Sequence, residues 1–201
     1  IGYLPGAGDS VAVCLQQMGY EVKELVGADL TPEKLRGFDA VVIGVRAFNE
    51  RTDLAANLDG LFAWVEAGGT VVAQYNRPNG LKTPRLGPYA LSIAGSAPAL
   101  RVTDEHSPVL ALAPDSPVFT TPNRIGPADF EGWVQERGAY FPSSWDEKYT
   151  PVLAMNDPDE AMLKSSVLVA KHGKGYFVYT GLGFFRQLPA GVPGAYRLFA
   201  N

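Results

Sequence analysis

The run Gly68-Gly69-Thr70-Val71-Val72-Ala73-Gln74-Tyr75-Asn76-Arg77 constrains this chain more than any other stretch. Two glycines end a helix, because glycine alone takes the left-handed conformation without steric cost. The apolar run that follows, closed by a polar turn, reads as a strand covered on both faces. Strands of that kind belong to sheets with helices packed on each side. In such open sheets ligands bind beyond the carboxyl ends of the strands, which is where Tyr75, Asn76 and Arg77 fall.

The upstream sequence repeats this pattern. Ile1-Gly2-Tyr3-Leu4 is a short apolar strand, closed by the turn Pro5-Gly6-Ala7-Gly8. Asp9 or Ser10 caps a helix whose Val11, Cys14, Leu15 and Met18 share one face, and Gly19 stops it. Residues 21–26 alternate and read as a second strand. Thr31-Pro32-Glu33-Lys34-Leu35 is a capped short helix with proline at its first position. Phe38-Asp39-Ala40-Val41-Val42-Ile43-Gly44 is a third strand, followed by Arg46-Ala47-Phe48-Asn49. A helix then starts near Thr52 or Asp53, with Leu54, Leu58, Leu61, Phe62 and Val65 as its core stripe. The expected fold class is α/β: a doubly wound, mostly parallel, flavodoxin-like sheet with right-handed crossovers.

The second half has a different texture. Residues 78–100 form a long loop rich in Gly, Pro and Ser, and strand-like runs follow at 100–103, 109–112 and 118–120. Residues 129–140 are aromatic and charged. Three more strands are expected at 151–155, 166–171 and 176–180, the last two joined by a hairpin turn at Lys171-His172-Gly173-Lys174-Gly175. No linker divides the chain, so 1–201 reads as one domain with a β-rich second half. Ile1 falls directly in a strand, and Arg197-Leu198-Phe199-Ala200-Asn201 reads as a helix cut short. The expectation is a piece of a longer chain.

Several function classes are disfavoured at once. The formal charge is −4 and no Lys/Arg cluster with interleaved aromatics occurs, which argues against nucleic acid or anionic membrane as partner. No apolar run has the length of a membrane span, and no signal peptide pattern is visible. A single cysteine, Cys14, excludes an intrachain disulfide and a cysteine zinc site. Its place on a buried stripe makes it a small hydrophobe rather than a nucleophile.

The candidate chemistry is thin. Gly6-x-Gly8 has Val11 where a dinucleotide fingerprint has its third glycine, and Asp9 puts negative charge where a phosphate would sit. It reads as a tight turn with a cap. Gly8-Asp9-Ser10 resembles the first block of the Gly-Asp-Ser esterases, but neither histidine follows the Asp-x-x-His spacing their base requires. In Asp104-Glu105-His106 strand alternation lets only Asp104 and His106 converge, and a polar turn before Pro108 accounts for them. Trp133, Gln135, Glu136, Arg137 and Tyr140 fit either a sugar-binding surface or a strand that completes the core. Arg46, Asn49, Asn76, Arg77 and Arg186 all follow carboxyl strand ends and would line one crevice with Tyr75. No catalytic residue, cofactor or metal is assigned.

The order from Phe38-Asp39-Ala40-Val41-Val42-Ile43-Gly44 through the next helix to Gly68-Gly69-Thr70-Val71-Val72-Ala73-Gln74-Tyr75-Asn76 resembles the class I glutamine amidotransferase-like fold. His106-Ser107-Pro108-Val109 and the closing Gly173-Lys174-Gly175-Tyr176-Phe177-Val178-Tyr179-Thr180-Gly181-Leu182-Gly183 resemble its trehalose-utilisation (ThuA-like) branch. Asn76, Gly132-Trp133-Val134-Gln135-Glu136-Arg137-Gly138, Met155-Asn156-Asp157-Pro158 and the run from Phe184-Phe185-Arg186-Gln187 to Val192-Pro193-Gly194 resemble the carboxyl-terminal region of large bacterial PIG-L (LmbE-like) deacetylases.

The amidotransferases carry a cysteine in a Gly-x-Cys-x-Gly elbow. The matching Ala73-Gln74-Tyr75-Asn76-Arg77 has Tyr75 in the nucleophile's place and neither glycine. The ThuA-like branch tends to show histidine where this chain has Phe184. Glutaminase activity therefore does not carry over. Deacetylase activity does not either, because the His/Asp-rich zinc motif of PIG-L enzymes has no match here.

The resemblance implies a non-catalytic accessory domain of a PIG-L-type N-acetylglucosaminyl deacetylase-like protein. It would bind carbohydrate or dock on the catalytic domain of the parent chain, in a periplasmic or secreted setting. One alternative is a hydrolase of carbohydrate derivatives using non-cysteine chemistry in the same crevice. Asn76, Arg77, Arg46 and Glu136 would then orient substrate, with His106 or Asp104 as acid/base. The other alternative is a structural or oligomerisation module.

Overall fold

The computed structural model describes residues 1–93 and 100–201. Strands β1 (Gly2–Leu4), β2 (Lys23–Glu24), β3 (Ala40–Ile43) and β4 (Thr70–Gln74) form the first half of one sheet. Strand β1 lies between β2 and β3, β3 pairs with β4, and all these pairings are parallel. Strand Gly175–Thr180 adds to the free side of β4 in parallel, and Val167–His172 and Tyr149–Pro151 follow antiparallel beyond it. The result is a seven-stranded, mostly parallel sheet whose order 2-1-3-4 is compatible with a flavodoxin-like winding.

Side-chain alternation splits the strands between two cores. Leu4, Val41, Ile43, Val71, Ala73, Phe177 and Tyr179 face one way, against Leu35, Phe48, Leu54, Leu61 and Phe62 from the helical connections. Tyr3, Val42 and Val72 face the other way, against Val11, Cys14 and Leu15 of the first helix (Val11–Gln17) and Ala195 and Leu198 of the last (Pro193–Phe199). Each strand of the middle is thus apolar on both faces, as its unbroken pattern requires.

The expected caps form, with one reassignment between neighbours. Asp9, not Ser10, accepts the Val11 N–H at 2.9 Å, and Thr31 Oγ1 accepts the Lys34 N–H at 3.4 Å ahead of Pro32. Gly68 has φ +130°, and a Cβ on Gly69 would lie 2.4 Å from the Trp64 ring, so both glycines are needed where the helix hands over to β4.

Elsewhere the elements depart from the sequence expectations. The 21–26 strand shortens to Lys23–Glu24 at the exposed sheet edge. The helix expected from Thr52 or Asp53 breaks into Thr52–Ala56 and Leu58–Ala67, with Asn57 Nδ2 donating to the Asp53 carbonyl at the break, and an unexpected short helix, Ala47–Glu50, precedes it. The 118–120 run is a helical turn, Pro117–Thr120, because Ser116 caps it and proline occupies its first position. The 151–155 run divides at Val152: Tyr149–Pro151 joins the main sheet, while Leu153–Met155 pairs with Val109–Ala111. Residues 129–140 hold a 3₁₀ turn, Pro127–Phe130, left-handed residues at Gly132 and Gln135, and the short strand Gly138–Ala139 against Arg101–Val102. Within the 78–100 loop, Leu91–Ser92 pairs with Ser144–Trp145, and the part over 94–99 lies outside the described residues. Among the described residues no helix is long and apolar enough to cross a membrane.

Candidate functional site

Because β3, β4 and Gly175–Thr180 run parallel, the segments after them emerge at one edge. Arg46 follows β3 in a left-handed conformation, φ 60°, and its N–H donates to the Tyr75 carbonyl at 2.8 Å. Tyr75 is not among the left-handed residues; at this edge Arg46, Gln135 and Tyr140 are.

The two asparagines at the edge are consumed by the backbone. Asn76 is fully buried. Its Oδ1 accepts the Phe48 N–H at 3.0 Å, its Nδ2 donates to the Gln74 carbonyl at 2.9 Å, and its N–H donates to the Tyr179 hydroxyl at 3.1 Å. Asn49 Nδ2 donates to the carbonyls of Arg77 and Asn79 at 2.9 and 3.1 Å, while its Oδ1 accepts the Arg77 N–H at 2.9 Å. Both amides fix the turn and neither faces a ligand. The Phe48 N–H belongs to the first turn of Ala47–Glu50, where helical donors lack internal partners, so Asn76 caps that helix from outside.

The other side of Tyr75, itself only 8% exposed, is covered by half-buried aromatic rings. Its ring lies 5.5 Å from Tyr140 and 5.2 Å from Phe185, centroid to centroid. Arg186 Nε donates to Glu136 Oε1 at 2.9 Å and Nη1 to Gln135 Oε1 at 2.7 Å, with the guanidinium 4.8 Å over the Phe185 ring. Burial raises the Tyr75 pKa above that of an ordinary phenol, and Glu136 adds to the rise, while Arg186 and Arg77 oppose it. The shift favours the protonated phenol, which can donate a hydrogen bond. Beside it a cleft of about 230 Å³ is lined by Arg101, Thr103, Glu136, Ala139 and Tyr140. Larger hollows, of about 440 and 470 Å³, lie by Gly68 and Lys23, where strands of the sheet begin. The carboxyl edge remains the candidate site, because strand ends and convergent polar groups meet there.

Trp133 and Arg137 leave the ligand-binding set: Trp133 joins the core, as the alternative reading had it, and Arg137 is buried on backbone carbonyls. Each is only 4% exposed. The Trp133 indole donates to the Asp129 carbonyl at 3.0 Å and packs against Phe130 and Phe184. Arg137 gives Nε and Nη2 to the Ser107 carbonyl at 3.1 and 2.9 Å, with its guanidinium 5.5 Å over the Trp133 ring. Burial lowers its pKa, and nearby Asp104 and Glu105 counter that. Of this run, Gln135, Glu136 and Tyr140 reach the edge.

Asp104, Glu105 and His106 form a turn, not a strand. The Ser107 N–H donates to the Asp104 carbonyl at 3.1 Å and the His106 N–H to Asp104 Oδ1 at 2.8 Å. Glu105 therefore converges with its neighbours: ligand atoms of the three lie within 4.8 Å of one another, with His106 exposed. Asp157 organises this turn and went unnoticed as a functional position in the sequence. Its carboxylate accepts the N–H groups of Thr103 and Asp104, both at 2.8 Å, and the Thr103 hydroxyl at 2.8 Å, with Arg101 Nη1 at 3.2 Å. Burial opposes its ionisation, but the Asp104 and Thr103 donors and Arg101 prevail and hold its pKa below the usual carboxylate value. Phe185 and Gln74 were also missed. Gln74 is 1% exposed; its amide makes no hydrogen bond of good geometry among the described residues, although it lies close enough to the Tyr3 hydroxyl to lower that phenol's pKa. The adjacent Tyr3 hydroxyl is aimed at Asp9 instead, whose carboxylate also accepts the Val45 N–H at 3.2 Å.

No family model matches the sequence, and no curated protein matches it. Solved structures do. A cytoplasmic protein from Salmonella typhimurium aligns at TM-score 0.62 and 10% identity, over 99% of this chain and 95% of its own. A ThuA-like protein from Bacteroides uniformis aligns at 0.57 and 14%, over 98% of this chain and 86% of its own. An exo-beta-1,4-mannosidase from an Opitutaceae bacterium aligns at 0.53 and 15%, over 99% of this chain and 34% of the mannosidase. At these identities the likeness concerns the fold alone, and it supports a ThuA-like, glutamine amidotransferase-like fold.

Proposed function

We propose that this domain binds carbohydrate at the carboxyl edge of its sheet and performs no catalysis of its own. One observation carries the reading: the nucleophile's position holds Tyr75, set against Tyr140 and Phe185 and rimmed by the Arg186–Glu136 ion pair. Aromatic faces receive the apolar C–H surfaces of a sugar ring, and a paired carboxylate and guanidinium accept from and donate to its hydroxyls. The locked asparagines hold this rim at a fixed height without entering it. In a parent chain of PIG-L-type deacetylase-like character, placed outside the cytoplasm, the domain is an accessory that retains glycan beside the catalytic domain or docks on it.

Titration calorimetry of the domain against a panel of neutral and acidic oligosaccharides tests the reading. Binding to a member of the panel is expected, weakened about tenfold or more in Tyr140→Ala, which removes one aromatic face (~1.4 kcal/mol). Silence across the whole panel, with the protein folded, would sink it.

A further inference from the structure

We infer that the sugar received at this edge is an amino sugar, whose protonated amine is held by Glu136 in the cleft beside Tyr140. The inference rests on the carbohydrate reading above and adds the ligand's charge to it.

The cleft is lined by Arg101, Thr103, Glu136, Ala139 and Tyr140, and its two charged side chains are compensated to different extents. Arg101 is more than neutralised. Its terminal nitrogens meet the Glu160 carboxylate at 2.8 and 3.0 Å, and Nη1 also meets Asp157 at 3.2 Å. Glu136 is only half engaged. Its Oε1 accepts from Arg186 Nε at 2.9 Å, while its Oε2 accepts no hydrogen bond among the described residues. The lining residues and their ion-pair partners therefore hold three carboxylates, Glu136, Asp157 and Glu160, against two guanidiniums, Arg101 and Arg186. Behind this wall the charge of Arg137 is opposed by Asp104 and Glu105, and Arg77 is not among the lining residues. The balance favours a cation over an anion, in a chain whose net charge of −4 acts in the same direction.

The aromatic wall gives a second reason. Tyr140 is set in the left-handed region, φ 55°, and its ring is held against Tyr75 with 5.5 Å between centroids. The face of a tyrosine ring attracts a cation, and a carboxylate oxygen accepts N–H groups. An ammonium group uses both at once, whereas a hydroxyl uses only the carboxylate. Size then separates the free amine from its acylated form. About 230 Å³ is less than the roughly 300–1,000 Å³ of pockets for drug-sized ligands, so the cleft suits one ring with a small substituent.

The test adds basic oligosaccharides to the panel above. Short glucosamine and galactosamine oligomers are titrated beside their N-acetylated counterparts, which keep the ring and lose the charge. The amine of at least one pair is expected to bind about tenfold tighter, the factor of one charge-assisted contact. That advantage shrinks as salt rises from about 50 mM to about 500 mM. Glu136→Gln brings the amine down to its N-acetylated counterpart, whereas Arg186→Gln, which releases both oxygens of Glu136, widens the preference. Equal binding of the two forms, or a preference for the N-acetylated one, overturns the inference and leaves the carbohydrate reading standing. An acyclic diamine that binds as tightly as the oligomers also overturns it, because net charge alone would then account for the attraction. A preference undiminished in folded Glu136→Gln, or unchanged in folded Arg186→Gln, overturns the assignment to Glu136. Silence across the enlarged panel overturns both readings.

Discussion

The two sides of Tyr75 both carry polar groups at a strand end and use them in opposite ways. On one side Asn76 and Asn49 are sealed into the backbone of the neighbouring loops. On the other, Tyr140, Phe185, Glu136 and Arg186 form a half-buried aromatic rim. The difference comes from what each side meets. The helix Ala47–Glu50 brings unpaired N–H groups, and a buried donor of that kind needs an acceptor. The segment after Gly175–Thr180 brings Phe185 and Arg186 against Tyr140 and Glu136, and Arg186 and Glu136 satisfy each other. A polar side chain at a strand end is therefore a ligand group only when the adjoining backbone does not claim it first.

The contrast is broken most directly at Asn76. Asn76→Ala leaves the Phe48 N–H and the Gln74 carbonyl unpaired in the interior and is expected to cost about 2–4 kcal/mol. Thermal or urea unfolding measures it, and a cost as small as that of an exposed substitution would erase the distinction between the sides.

The next effect is smaller and lies on the aromatic side. Asp157 anchors the turn that carries Thr103, and Thr103 and Arg101 wall the cleft beside Tyr140. Asp157→Asn is expected to cost about 1–3 kcal/mol at neutral pH, since hydrogen bonds to a charged acceptor are lost. The folded pKa is depressed, so this stabilisation is complete above the unfolded carboxyl value near 4 and is lost as pH falls through the lower folded value. Stability curves of wild type and variant should converge in acid. Curves that stay parallel would show that the charge contributes nothing.

The smallest effect has the opposite sign. At the seam between the sides, Gln74 keeps a poorly satisfied amide in the interior, with the Tyr3 hydroxyl beside it. Gln74→Met keeps the volume and removes the unmet polar group, and is expected to raise stability by about 1 kcal/mol. A fall of that size would mean that the amide is held by a bridging water.

The first half of the fold was legible in the sequence because strand, turn and helix each carry their own period and punctuation. The chain from Ile1 to Gln74 follows that pattern, apart from the break in the helix before β4 and the short helix ahead of it. The second half was less legible because its strands are short and its partners distant. Residues 118–120 have too few positions to show a period, although Ser116-Pro117 carried the helix signal. Trp133 and Arg137 look alike in sequence whether they face solvent or interior. Only the carbonyls of Ser107 and Phe130, supplied from elsewhere in the fold, decide for the interior. At the candidate site the sequence located the edge correctly as the place where strand ends gather. It did not separate the groups that fasten the edge from those that line it, because Asn76 and Phe48 are brought together only by pairing of β3 with β4.

The position of Gly175–Thr180 in the sheet has a consequence for biosynthesis. That strand is β4's only neighbour on one side, yet it is made about a hundred residues later. Until it emerges from the ribosome, Val71, Val72 and Ala73 belong to an open sheet edge, a template for pairing with another nascent chain. Closure also requires a contact of long sequence separation, which slows folding. A chain released before its last hairpin is complete is therefore expected to aggregate instead of folding in part.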